Sequence, residues 1–72
     1  MEFAKNLKRE REKLGLTQTE FADRIGVAQP MVAQYETGIK QPAFLTVVNI
    51  ERVLGVSVRE LYEGMKSREN EQ

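Results

Sequence analysis

The sequence predicts an all-α fold, and three observations predict it. Gly15, Gly26, Pro30, Gly38, Pro42, Gly55 and Gly64 cut the chain into short pieces, as helix-breaking residues do. Within the pieces, apolar residues recur at helical spacing and do not alternate. Two pieces open with a capping box, the reciprocal side-chain and backbone bonding that starts a helix. No alternating run bounded by hairpin turns is present, and no internal repeat or low-complexity segment.

Five helices follow in order. The first is expected from about Glu2 to Leu14, with Phe3, Leu7 and Leu14 on one face and Gly15 as C-cap. The second starts at Thr17, where Thr17-Gln18-Thr19-Glu20 is a capping box. Its inner face is Phe21, Ala22 and Ile25, and Gly26 ends it. The third runs from about Gln29 to Thr37, with Val32 and Tyr35 inward and Gly38 as its stop. Pro42 precedes the fourth, about Ala43 to Leu54, whose apolar stripe is Phe44, Val47, Val48, Ile50 and Leu54. Gly55 closes it. The fifth begins at Ser57 with a second capping box, packs Leu61 and Tyr62, and ends at Gly64. Residues 1–65 are read as one domain. Residues 66–72 are polar and patternless, and a frayed tail is expected there.

Composition narrows the function. The 72 residues fit one small domain, and a chain of that size has a marginal core. There is no Cys and no His, so no disulfide and no zinc site of the usual ligand types is expected. No apolar run approaches the length of a membrane span, and the N-terminus is charged where a signal peptide would be apolar. The 11 basic and 11 acidic side chains cancel. Their distribution is uneven. Between Lys5 and Lys13, the basic Lys5, Lys8, Arg9, Arg11 and Lys13 outnumber Glu10 and Glu12, whereas the chain from Ala43 onward is slightly acidic. By itself the basic run reads as a solvated helix face.

The informative stretch is Thr17 to Gly38: two helices joined by a turn at Gly26. Ala22 is small enough for a close crossing, Gly26 admits the left-handed backbone of a tight turn, and Val27 and Val32 flank it. This is the sequence logic of a helix-turn-helix at about residues 18–37, a motif whose second helix enters the DNA major groove. The stretch resembles the lambda-repressor-like and Cro-like family, also called XRE-type regulators. Leu7, Arg11 and Gly15-Leu16-Thr17-Gln18 fit the family upstream. Gly38, Pro42, Leu54-Gly55-Val56-Ser57 and Leu61 fit it downstream, so the resemblance covers roughly residues 5 to 64.

The resemblance implies a five-helix DNA-binding domain and assigns roles. Gln18 would anchor a phosphate and buttress Gln29, the first side chain of the recognition helix. A glutamine amide offers one donor and one acceptor, matching adenine N6 and N7. Gln34 is the second expected base reader, and Ala33 beside it would meet a thymine methyl. Pro30 can offer a base only apolar contact, though the first helical turn tolerates it. Ala28 stands where the family commonly has a Ser or Thr cap. Arg11 and Glu36 would form an internal ion pair. Phosphates would meet Gln18, Thr37, Lys40 and Gln41, with Lys5 and Arg9 adding charge at the flank. Such domains usually bind near-palindromic DNA as dimers, and Leu61, Tyr62 and Met65 are the candidate interface; Leu61 equally completes the monomer core. Glu51 replaces a residue that is often small in the family, which implies disturbed packing or a surface pair with Arg52 or a partner.

The resemblance therefore implies a transcriptional regulator, most simply a dimeric repressor of phage, restriction-modification or antitoxin type, acting in a prokaryotic cytoplasm on double-stranded DNA. The alternative is a module of the same fold that binds another regulator and not DNA. Net neutrality, Pro30 and Ala28 favour that alternative; Gln18, Gln29, Gln34 and Lys40 oppose it. An enzyme is not expected, because the commonest bases and nucleophiles are missing. No cofactor, metal or membrane partner is expected.

Overall fold

The computed structural model describes residues 2–63. They form α1 (Glu2–Lys13), α2 (Gln18–Ile25), α3 (Gln29–Thr37), α4 (Phe44–Leu54) and α5 (Val58–Glu63), with no strand among the described residues. The expected tail at 66–72 lies outside them. None of these helices is long and apolar enough to cross a membrane.

The helix starts follow the local chemistry. The Thr17 hydroxyl accepts from the Glu20 amide at 3.0 Å, and the Glu20 carboxylate accepts from the Thr17 amide at 2.9 Å. Ser57 and Glu60 repeat the exchange at 3.1 and 3.3 Å. Each such cap satisfies amides that otherwise have no intrahelical partner.

α2 packs on α3, α1 lies against α3 and α5, and α4 closes over α2 and α5. Between them Phe3, Leu7, Phe21, Ile25, Val32, Ile50 and Leu61 are fully buried. Each such side chain contributes roughly 1.5–3 kcal/mol by leaving water. Ala22 is buried at the α2–α3 crossing as expected. Gly26 takes φ 80° and ψ 30°, and its amide donates to the Ala22 carbonyl. A side chain with a Cβ would be strained in that left-handed conformation.

Two apolar residues are not where their spacing put them. Leu14 is 49% exposed. α1 stops at Lys13, so the helical register that aligned Leu14 with Leu7 does not reach it. The chain reverses through Gly15 at φ 74°, and Leu16 enters the core in its place. Phe44 is 78% exposed. It lies six residues before the buried Ile50, about 120° round the helix at ~100° per residue. The buried face of α4 is Ile50 and Leu54, with Val53 packed against the core, while Val47 and Val48 are half-buried.

Polar side chains join the helices at points that spacing did not mark. Asn6 is buried, and its Nδ2 donates to the Leu61 carbonyl, fastening α5 to α1. Asn49 Nδ2 donates to the Ile25 carbonyl at 3.3 Å, holding α4 to the end of α2. Glu51 neither disturbs packing nor pairs with Arg52. Its Oε2 accepts from the Val58 amide at 2.6 Å, so α4 supplies a second cap for α5. A carboxylate is favourable there because the first amides of a helix carry partial positive charge. Arg52 turns to Asn49 Oδ1 instead, at 3.3 Å. Glu51→Ala is expected to destabilise the fold by about 1–2 kcal/mol, the usual cost of a lost cap, and Arg52→Ala by less than about 0.5 kcal/mol. Urea unfolding followed by circular dichroism separates the two.

Candidate nucleic-acid interface

α3 buries Val32 and Tyr35 and turns its opposite side to solvent. At ~100° per residue, Gln29, Ala33, Thr37, Pro30 and Gln34 follow one another round an arc of about 140°. Gln29, Pro30 and Thr37 are exposed on it, while Ala33 and Gln34 are half-buried. The helix begins at Ala28, which makes no side-chain cap. Pro30 sits in the first turn without loss, since its missing amide had no intrahelical partner. Gly38 at φ 83° ends the helix, and the Gln34 carbonyl gathers the amides of Ile39 and Lys40 at 3.0 and 3.3 Å. That bond set directs the segment carrying the exposed Lys40 and Gln41.

Beneath the arc lies a buried ion pair. Arg11 Nε donates to Glu36 Oε2 at 2.6 Å and Arg11 Nη2 to Glu36 Oε1 at 3.1 Å. The third guanidinium nitrogen, Nη1, donates to the Leu16 carbonyl at 2.7 Å. The two side chains are 8% and 3% exposed. The hydrogen bonds to Glu36 hold the Arg11 pKa above the ordinary arginine value; burial pulls it down, and the charges of Glu36 and Glu12 push it up. A raised basic pKa stabilises the fold below the unfolded value and loses that effect only as pH climbs through the folded one. The guanidinium therefore stays charged across the physiological range.

The ion pair continues outward. Gln18 Nε2 donates to Glu36 Oε1 at 3.1 Å, and Gln29 Nε2 donates to Gln18 Oε1 at 2.8 Å. Arg11, Glu36, Gln18 and Gln29 thus form one connected chain from the core to the surface. The Gln18–Gln29 amide pair and the Arg11–Glu36 ion pair were each implied by the family resemblance. The Gln18–Glu36 bond that joins them was not, although Glu36 stands two helical turns beyond Gln29 on the same side.

The basic run of α1 does not form a continuous cationic surface. Arg11 points inward. Arg9 lies 4.0 Å and Lys13 3.4 Å from the same Glu10 carboxylate. Among the described residues Lys5, Lys8 and Lys40 form no ion pair and are exposed. The proposed interface residues separate. Leu61 is 1% exposed and belongs to the monomer core, so it offers a partner no surface. Tyr62 is 45% exposed, stacks on Phe3 with ring centroids 4.6 Å apart, and donates its hydroxyl to Gln41 Oε1. Met65 lies outside the described residues. Ile39 and Leu45, passed over in the sequence, are exposed beside Lys40 and Phe44. No His, Cys, Asp and Glu cluster suited to a metal occurs among the described residues.

The sequence has counterparts among known proteins. A helix-turn-helix family model matches residues 7–61, from α1 into α5. The uncharacterized HTH-type transcriptional regulator YqaE of Bacillus subtilis (strain 168) is 39% identical over 62 residues, covering 86% of this chain and 53% of that protein. An uncharacterized HTH-type transcriptional regulator of Methanothermobacter thermautotrophicus is 37% identical over 49 residues, covering 68% of this chain and 71% of that protein. The chain spans about half the length of the Bacillus relative.

Arg11→Met is expected to cost roughly 3–5 kcal/mol, because it leaves the buried Glu36 carboxylate without its countercharge. Arg11→Met with Glu36→Gln removes both charges and is expected to recover most of that loss. Chemical denaturation of the two variants checks it; equal losses would mean that the pair is not the source of the cost.

Proposed function

The chain belongs to the XRE-type, lambda-repressor-like helix-turn-helix family, and from that premise we propose that it is a sequence-specific transcriptional regulator binding double-stranded DNA as a homodimer. One observation carries the reading: Gln29, exposed at the start of α3, is held by Gln18, which is itself held by a buried carboxylate. A solvent-facing glutamine with no recognition task gains little from such support. Held amides reduce the freedom lost on binding a base edge.

In this reading α3 lies in the major groove. Gln29 takes adenine N6 and N7, and Gln34 with Ala33 reads a neighbouring pair; Pro30 gives only apolar contact. Gln18, Thr37, Lys40 and Gln41 meet phosphates, and Lys5 and Arg9 add charge at the flank. Two copies on half-sites one helical turn apart place both recognition helices on one side of the duplex. Tyr62 is the described residue best placed to meet the second copy. Its hydroxyl also holds Gln41, so the dimer contact and a phosphate contact share one hydrogen bond. Repression is the simplest outcome of occupying such a site, and the reading assigns no catalysis.

Selection of bound duplexes from a random pool tests the proposal, with Gln29→Ala run in parallel. A near-palindrome is expected, with preference relaxed at one symmetric adenine position in the variant. No enrichment at low salt would sink DNA binding and leave the protein-interaction module. Because cations are few, the affinity is expected to fall gently with salt. Some 3–5 neutralised phosphates per subunit give a log–log slope of roughly −3 to −4.5 per subunit. A much steeper slope in a titration of salt against Kd would require cations beyond these.

A further inference from the structure

We infer that Glu36 is a specificity-positioning residue: through Gln18 it sets which way the Gln29 amide faces, and so makes Gln29 a reader of adenine and not of guanine. The inference rests on the proposed base contact of Gln29 and adds what decides its outcome.

The argument is one of donors and acceptors. A glutamine amide is nearly the same shape either way round, with oxygen on one arm and NH2 on the other. Nothing in packing alone chooses between the two. A guanidinium only donates and a carboxylate only accepts. Arg11 donates to both oxygens of Glu36, so the chain begins with a fixed sense. Oε1 of Glu36 can face Gln18 only across an N–H, and it does, at 3.1 Å. The opposite orientation would set the Gln18 oxygen against a carboxylate oxygen in a largely buried place. With its NH2 spent inward, Gln18 presents Oε1 to α3. Gln29 must then offer NH2, and it does, at 2.8 Å.

The consequence appears at the surface end. Gln29 retains a free oxygen and one free N–H. That pairing of acceptor and donor matches adenine, which presents N6–H2 and N7 in the major groove. Reverse every amide and Gln29 would keep both N–H groups free. Two donors match guanine, which presents O6 and N7, both acceptors. The charge at Glu36 therefore selects between two bases that it does not touch.

The test compares affinities for two duplexes, identical except for adenine or guanine at the base pair that Gln29 meets. The native chain is expected to favour adenine by about 5- to 150-fold, the span that a good bidentate contact supplies. In Glu36→Gln, Arg11 Nε keeps the amide oxygen at the shorter of its two contacts, and the new NH2 takes the Oε1 position, gives up the Nη2 bond and turns to Gln18, so the preference is expected to move toward guanine. Arg11→Met with Glu36→Gln carries no orphaned charge and has no fixed sense, and its ratio is expected near one. Gln18→Met leaves the ion pair in place and cuts the chain; its ratio also falls toward one. Loss of stability alone weakens both duplexes equally and leaves the ratio unmoved. A second readout needs no DNA. The side-chain amide protons of Gln29 in the native chain are expected to exchange with water more slowly than in Gln18→Met or in the double variant.

An adenine preference unchanged in folded Gln18→Met and in the folded double variant would overturn the inference while leaving base reading by Gln29 intact. No adenine preference in the native chain, with sequence selectivity elsewhere, would overturn both.

Discussion

Arg11 and Glu36 face one another with both charges withdrawn from water, and the proposed DNA-facing side hangs on their geometry. Removing two ions from solvent costs several kcal/mol each, and attraction in the interior repays it only when the geometry is good and the remaining bonds are made. Here they are made. Arg11 spends its guanidinium on two carboxylate oxygens and the Leu16 carbonyl. Glu36 receives Arg11 at both oxygens and Gln18 at one. No buried side-chain polar atom among the described residues lacks a partner. An apolar pair of the same volume would hold α1 to α3 as firmly, so stability alone does not account for the charges. What an apolar pair would not supply is direction. It would clamp the recognition helix in place without saying which atoms of Gln18 and Gln29 face outward.

The balance of charge fits that division of labour. The recognition helix has no cation, and its single charge, Glu36, is turned inward and paired. In the basic run of α1, Arg11 serves the interior and Arg9 and Lys13 share Glu10. In the proposed complex, phosphate neutralisation, the sequence-independent part of binding, would therefore be small. Base contacts and uncharged hydrogen bonds to the backbone would carry a larger share there, and the orientation of a few amides would be decisive.

Local rules were legible in the sequence and long-range polar ones were not. Both capping boxes, the stops at Gly15, Gly26, Gly38 and Gly55 and the order of the five helices depend on residues within four positions of one another, and the structure has them; the stop expected at Gly64 lies outside the described residues. The buried face of α3, Val32 and Tyr35, followed from one helical period. Leu14 and Phe44 misled for the same reason: apolar spacing identifies a core face only while the helix continues, and only when the helix is not apolar on several sides. α1 stops one residue short of Leu14, and α4 carries apolar residues nearly all round. Asn6 and Glu51 were unreadable because their partners, Leu61 and Val58, are backbone groups in α5. Any residue type exposes those groups, so no pattern marks them. The site was legible in its two pairs, both through the family resemblance. Their union through Gln18 needed the crossing of α2 over α3 to be known.

The helix starts differ in how they are capped. α2 and α5 open with full capping boxes, and α5 receives Glu51 as well. α3 and α4 open with Ala28 and Ala43, neither of which offers a side-chain acceptor. A serine at either place would stabilise its helix by about 0.5–2 kcal/mol, a large fraction for a chain with so small a core. At position 43 its hydroxyl would also occupy amides that follow the segment carrying Lys40 and Gln41. Of the two uncapped starts, that of α4 adjoins this segment, and that of α3 carries Gln29. The α4 amides left without a side-chain cap follow Lys40 and Gln41 in the chain, where, in the proposed complex, a phosphate would complete them.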